Sequence, residues 1–170
     1  RADYPGLPVE PVVADFMAPF QLPEKTEAKR LLFFPGSTIG NLHRDQAAAF
    51  LASLRVRAGA DQFLIGVDLK KDTAILEAAY DDAAGVTAAF NLNMLRRINR
   101  ELGATFDLAK FQHRAIYNEA EGRVEMHMVS LASQTVRVHD QSFEFADGET
   151  IHSENSYKYA ADEFEAMAEA

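Results

Sequence analysis

The 170-residue chain carries 17 basic and 26 acidic residues, a formal charge of −9, 48% hydrophobic and 10% aromatic residues, and no cysteine. Such a composition is globular and long enough for one large domain or two small ones, while an acidic chain without a basic stripe argues against nucleic acid as partner. The lack of cysteine excludes disulfides, thiolate metal ligation and a cysteine nucleophile, and suits a cytoplasmic location.

The first residues, Arg1 to Pro5, have neither a signal-peptide pattern nor a methionine, so the chain is expected to begin inside a larger protein. Val9 to Phe16 is an apolar segment that predicts a strand, ending on Asp15-Phe16 and running into a loop through Pro19 and Pro23. Lys25 to Arg30 is a polar approach to Arg30-Leu31-Leu32-Phe33-Phe34, whose apolar run predicts a strand covered on both faces of a parallel sheet. Past Pro35-Gly36 the pattern turns helical from Asn41, with Ala47, Phe50, Leu51 and Leu54 at helical spacing and Gly59 as the stop. Gln62 to Asp68 predicts a further buried strand.

Strand, loop, helix and strand in this order predict an α/β fold with a doubly wound, Rossmann-like sheet, which binds ligands at the carboxyl ends of its strands. There is no room before Val9 for a first βαβ unit, so the sheet is expected to be incomplete. Thr73 to Tyr80 and Val86 to Leu102 predict two helices, the second closed by Gly103. His113 to Asn118, Arg123 to Leu131, Thr135 to Val138 and Ser142 to Phe145 alternate apolar and polar residues between turn signals and predict an antiparallel meander. A last helix is expected over Ala160 to Ala170. No apolar run approaches the ~20 residues that span a bilayer as a helix, so a soluble protein without a membrane partner is expected.

Gly36-Ser37-Thr38-Ile39-Gly40-Asn41 lies where a buried strand meets a helix. Glycine there permits positive φ and close approach to a ligand, and Ser37, Thr38 and Asn41 offer hydrogen-bonding groups. A capped turn with no ligand has the same pattern, and the Gly-Lys-Ser/Thr ending of a phosphate-binding loop is absent. Asp15 and Asp68 end apolar strands at the expected ligand edge, where a carboxylate can accept from an adenine amino group or a ribose hydroxyl, or merely cap a turn. Phe16, beside Asp15, could stack on a base. Tyr80-Asp81-Asp82 and Glu154-Asn155-Ser156-Tyr157 could recognise an amino acid, although each residue alone suits a surface or capping role. Lys70-Lys71 is expected to be a solvated pair. The five histidines lack the close helical spacing of a metal pair, and those at 113, 127, 139 and 152 are expected on solvated faces, so no metal site is expected. No Gly-x-Ser-x-Gly elbow is present for a serine hydrolase.

Taken together, six segments resemble the histidine-specific Nα-methyltransferases of ergothioneine biosynthesis. They are Phe33 to Asn41, Gly66 to Asp72, Glu77 to Asp82, Thr87 to Asn93, Glu125 to Met128 and Ile151 to Tyr159. The resemblance implies S-adenosyl-L-methionine as cofactor and methylation of the α-amino group of L-histidine up to the trimethylated betaine, hercynine. It further implies a Rossmann-like methyltransferase domain that includes residues 1–72, an inserted α+β substrate domain over 73–156, and a return helix over 157–170. Asp15 and Phe16 would meet the cofactor's adenine, and Gly36 and Ser37 its methionine portion. Asn41, the residue expected to orient the reacting amine, and Tyr80 would hold the amino and carboxylate groups of histidine. Glu154 and Ser156 would bind the imidazole, and Met126 would line the pocket. The family pattern also has an amino-terminal helical segment, a glycine-rich cofactor loop and a final pair of strands, none of which matches residues 1–170. The alternative reading is a non-catalytic amino-acid-binding or interaction module derived from that family.

Overall fold

The computed structural model describes residues 4–18, 22–24 and 27–169. Its elements are β1 (Leu31–Phe34), α1 (Arg44–Ala58), β2 (Gln62–Ile65), α2 (Thr73–Tyr80), α3 (Val86–Leu102), β3 (Phe111–Asn118), β4 (Arg123–Ser130), β5 (Gln134–Val138), β6 (Gln141–Phe145), β7 (Thr150–Tyr157) and α4 (Ala161–Glu169). Short 3₁₀ turns cover Thr38–Asn41 and Leu108–Lys110. Among the described residues the chain is mixed α/β, and its strands form three sheets.

Strands β1 and β2 pair in parallel, joined by a crossover through α1, as the strand, helix, strand pattern predicts. Covered faces do not follow. Leu31 and Phe33 of β1 are 54% and 64% exposed, so the apolar residues there have a bare side within this chain. The inner side packs Phe34, Ile65 and Val67 against Ile39, Ala47, Phe50 and Leu51, and on Tyr157, Tyr159 and Phe164 at the other end of the sequence.

The strand expected over Val9 to Phe16 is not formed: residues 8–15 have no regular secondary structure and are followed by a turn. Strand backbone needs a neighbour for its N–H and C=O groups, and Pro11 has no N–H to give. Val13 is fully exposed, and among the described residues no strand lies alongside. The expected loop through Pro19 and the start of the polar approach at Lys25 lie outside the described residues.

The expected single meander is also corrected. Strands β3 and β4 form an antiparallel pair, but the chain then leaves for a separate hairpin, β5 and β6, and returns as β7 on the other edge of β4. Strand β7 reads Thr-Ile-His-Ser-Glu-Asn-Ser-Tyr, almost without apolar residues, which hides it from a hydrophobic pattern. Helices α2 and α3 cover one face of this sheet. Leu76 packs on Ala115 and Val124, and Leu95 on Phe111, Met128 and Val136.

After β7 the backbone crosses back to the first sheet. The Tyr159 amide donates to the Asp68 carbonyl at 3.0 Å, the Lys70 amide donates to the Tyr159 carbonyl at 3.1 Å, and Leu69 and Tyr159 form a parallel bridge. Two sheets are thus stitched at one point. The residues of interest gather there.

Candidate functional site

At the carboxyl end of β1 the chain turns sharply. Gly36 and Ser37 both take left-handed backbone conformations, with φ of 76° and 57°. A serine held there is uncommon and costs strain, of the kind concentrated at ligand sites. The 3₁₀ turn that follows presses on β7. A Cβ added at Gly40 would stand 2.8 Å from the Tyr157 carbonyl oxygen and 3.7 Å from Ser156 Oγ, so only glycine allows this approach. Asn41, at the end of the turn, is exposed, and its amide has no hydrogen-bond partner among the described residues.

Strand β7 sets Glu154 and Ser156 on one face by alternation, and Lys158, the first residue past the strand, reaches back to Ser156. Glu154 lies opposite Met126 and Ser156 opposite Val124 on β4. Met126 is buried, 4% exposed. Glu154 also borders a cleft of about 410 Å³ lined by Phe90, Asn91, Met94 and Ile98 of α3, a volume suited to a small molecule. Burial pushes the Glu154 carboxyl up, partly offset by the positive charge of Lys158.

Lys158 is completely buried, and its ammonium has three partners. It donates to the Tyr80 hydroxyl at 2.8 Å and to Ser156 Oγ at 2.8 Å, and it pairs with Asp68 Oδ2 at 2.9 Å. The two hydroxyl oxygens are themselves 2.7 Å apart. The Nζ also stands 4.5 Å from the centre of the Tyr80 ring. No sequence motif singles out this lysine, although it stands two residues after Ser156.

Asp68 serves this hub rather than an open strand end. Lys71 holds its other oxygen at 2.5 Å. Burial alone would raise the Asp68 carboxyl, but the hydrogen bonds and charges of Lys71 and Lys158 outweigh it and hold the group low. The Lys70-Lys71 pair is accordingly not merely solvated, since Lys70 pairs with Glu163 at 2.6 Å.

Tyr80 is anchored from behind by a histidine expected on a solvated face. His113 is 4% exposed; its Nε2 lies 2.7 Å from the Tyr80 carbonyl oxygen and its Nδ1 2.9 Å from Asn91 Nδ2. A ring protonated at Nε2 satisfies both contacts, donating to the carbonyl and accepting from the amide. The end of α2, the middle of α3 and β3 are locked together by this one side chain.

Asp15 and Phe16 sit apart from this hub. One Asp15 oxygen accepts from the Met17 amide at 2.9 Å, and the Phe16 ring packs 5.8 Å from both Phe34 and Phe50 while remaining 43% exposed. Phe16 therefore reaches the end of β1, next to the Gly36-Ser37 turn.

On the opposite face of the sheet, Glu125, His127 and His152 bring potential metal-ligand atoms within 4.8 Å of one another, a grouping across two strands that sequence spacing does not display. One Glu125 oxygen is taken by Arg123 at 2.8 Å and Asn118 at 3.1 Å, and the other faces His127 Nε2 at 3.1 Å. A metal on that Nε2 would force a proton onto His127 Nδ1, which is buried with no partner among the described residues. The charges and hydrogen bonds instead hold one another.

Comparison with known proteins bears on the whole chain. Residues 1–170 match the family described as histidine-specific methyltransferase, SAM-dependent. The histidine N-alpha-methyltransferase of Mycolicibacterium smegmatis is 46% identical over 162 residues, covering 93% of this chain and 50% of that protein. The Mycobacterium tuberculosis protein of the same name is 44% identical over 163 residues, covering 94% and 50%. Ergothioneine biosynthesis protein 1 of Neurospora crassa is 31% identical over 154 residues, 85% of this chain and 17% of that protein. The chain thus spans about half the length of the mycobacterial relatives.

Proposed function

The chain belongs to the histidine-specific, S-adenosylmethionine-dependent methyltransferases, and on that premise we propose that the intact protein methylates the α-amino group of L-histidine, up to trimethylated hercynine, in ergothioneine biosynthesis. The observation that carries this reading is the hub of Tyr80, Ser156 and Lys158, with Glu154 on the same strand face and the Gly40-Asn41 turn pressed against it.

The residues present fit parts of S-adenosylmethionine. Asp15 keeps one carboxylate oxygen without a partner among the described residues, suited to an adenine amino group, beside the half-exposed ring of Phe16. Gly36 has open space around its Cα, so a methionine portion can approach the backbone of Gly36 and Ser37 closely. When bound, the cofactor supplies a methyl group on a sulfonium leaving group.

The chain's own task is then placement. Transfer to an amine is an in-line displacement without a covalent enzyme intermediate, so the gain comes from orientation and exclusion of water. In this reading the Asn41 amide oxygen accepts from the substrate amine and aims its lone pair, while the amide NH₂ donates to the substrate carboxylate alongside Tyr80. Glu154 accepts the imidazole N–H, Ser156 meets the other ring nitrogen, and Met126 closes the pocket wall. Each further transfer requires the amine to lose a proton, which solvent takes.

Residues 1–72 and 157–170 are assigned to a Rossmann-like domain and residues 73–156 to an inserted substrate domain. The bare face of β1 and β2 is assigned to contact with the family's other segments, and the protein to the cytoplasm. The test is mass spectrometry of L-histidine incubated with the intact protein and S-adenosylmethionine. Mass gains of one, two and three methyl groups are expected; unmodified histidine overturns the reading.

A further inference from the structure

We propose that a β-bulge at Ser153 turns Glu154 toward the cleft beside α3, and that Ser153 is the positioning residue that holds it there. This rests on the proposed role of Glu154 as the imidazole acceptor and goes beyond it in assigning what sets that side chain's direction.

Side chains of a regular strand alternate between two faces, so residues an odd number apart point to opposite sides. Ile151 and Glu154 are three apart, yet they share a face. Ile151 lies opposite Met128 and packs with Leu95, Phe111 and Val136, while Glu154 lies opposite Met126, which stands on the same side of β4 as Met128. Between those pairs β4 has one residue, His127, and β7 has two, His152 and Ser153. His127 pairs with His152, and Ser153 is the extra residue. Regular alternation over the same sequence, counted from Ile151, would instead send Glu154 to the face of Glu125 and His127. Bulges of this kind re-aim side chains beside active sites.

The direction of Glu154 depends on this backbone, because its carboxylate makes no hydrogen bond among the described residues. Ser156 differs, being held by its own contacts with Tyr80 and Lys158. Three side chains close the bulge. Ser153 Oγ donates to the carbonyl of Met126, the residue opposite Glu154, at 2.9 Å. His152 Nε2 donates to the Glu154 carbonyl at 3.2 Å. From α3, the buried Asn91 donates to the His127 carbonyl at 3.3 Å. Asn91 also holds His113, and the His152 ring stacks on His127, so changes there disturb other contacts. The Ser153 hydroxyl is the shortest of the three bonds and belongs to the bulged residue itself.

The test is a double-mutant cycle read as KM for histidine in the intact protein at saturating S-adenosylmethionine. Ser153→Ala is expected to raise KM about five- to tenfold, the contribution of one hydrogen bond, and Ser153→Thr, which keeps the hydroxyl, to stay within about twofold of wild type. In a Glu154→Ala background, Ser153→Ala should add less than about twofold, because the residue it acts through is gone. A serine that only strengthens the sheet would lower the melting temperature and leave KM unchanged, or would raise KM equally with and without Glu154. Either result overturns the proposal, as does a threonine variant as impaired as alanine. If Ser153→Ala leaves KM unchanged while Glu154→Ala raises it, the histidine site stands and only the role of the bulge falls. If Glu154→Ala itself leaves KM unaltered, the reading of the histidine site falls, and this proposal with it.

Discussion

Asp82 illustrates how one side chain sets an element that borders the site. Its two oxygens accept from the Thr87 amide at 2.8 Å and the Val86 amide at 3.0 Å, so it caps the first turn of α3 from four residues upstream. Those bonds, with that of Thr87 the largest, hold the carboxyl at about 2. The native value lies below the unfolded one of about 3.9, so the native state binds fewer protons between them. The stabilisation is thus complete above about pH 4 and disappears as the pH falls through about 2. Asp82→Ala should melt lower than wild type at neutral pH, and the difference should close between about pH 4 and 2. A difference that persists unchanged across that range, followed by circular dichroism, would count against the capping account.

At the level of elements, the turn after β1 depends on its contact with β7. Gly40→Ala brings a methyl group within 2.8 Å of a backbone oxygen that cannot swing aside. Such overpacking costs about 1–3 kcal/mol, and denaturant unfolding should register it together with weaker histidine binding, because Asn41 shifts with the turn. The substrate sheet depends instead on α3. Leu95 is 1% exposed among Phe111, Met128 and Val136, so Leu95→Ala should cost about 2–5 kcal/mol through lost burial and a cavity, measured as a lower denaturation midpoint. Helices were the legible part of this chain: α2 and α3 follow from spacing and stop signals, because each buries one stripe on a sheet. Strands were less so. Val9 to Phe16 has the right composition but no strand beside it among the described residues, while β7 forms without apolar alternation because its inward positions hold Glu154 and Ser156 instead of core residues. Lys158 itself was within reach of a period-two reading, once a strand was assigned to that segment.

Across the whole molecule, the feature that makes a site is the crossing of the chain from the three-stranded sheet to the parallel pair. Tyr159 bonds on both sides of Leu69, through the Asp68 carbonyl and the Lys70 amide, and so sets Asp68 beside Lys158. No local pattern encodes that meeting, since its members are about 90 residues apart in the chain. Among the described residues, no helix is long and apolar enough to cross a membrane. The exposed Leu31, Phe33 and Leu64 leave an apolar face on the parallel pair, whereas the Tyr80, Ser156 and Lys158 network is closed within this chain. In the proposed reading Glu154 is the residue that selects the imidazole ring. Titration calorimetry of L-histidine into the intact protein tests that claim most directly, comparing wild type with Glu154→Ala. The account predicts histidine affinity lower by about 10–100-fold, from loss of one hydrogen bond to a charged acceptor, with S-adenosylhomocysteine binding unchanged. A Glu154→Ala protein that binds histidine as tightly as wild type would contradict it.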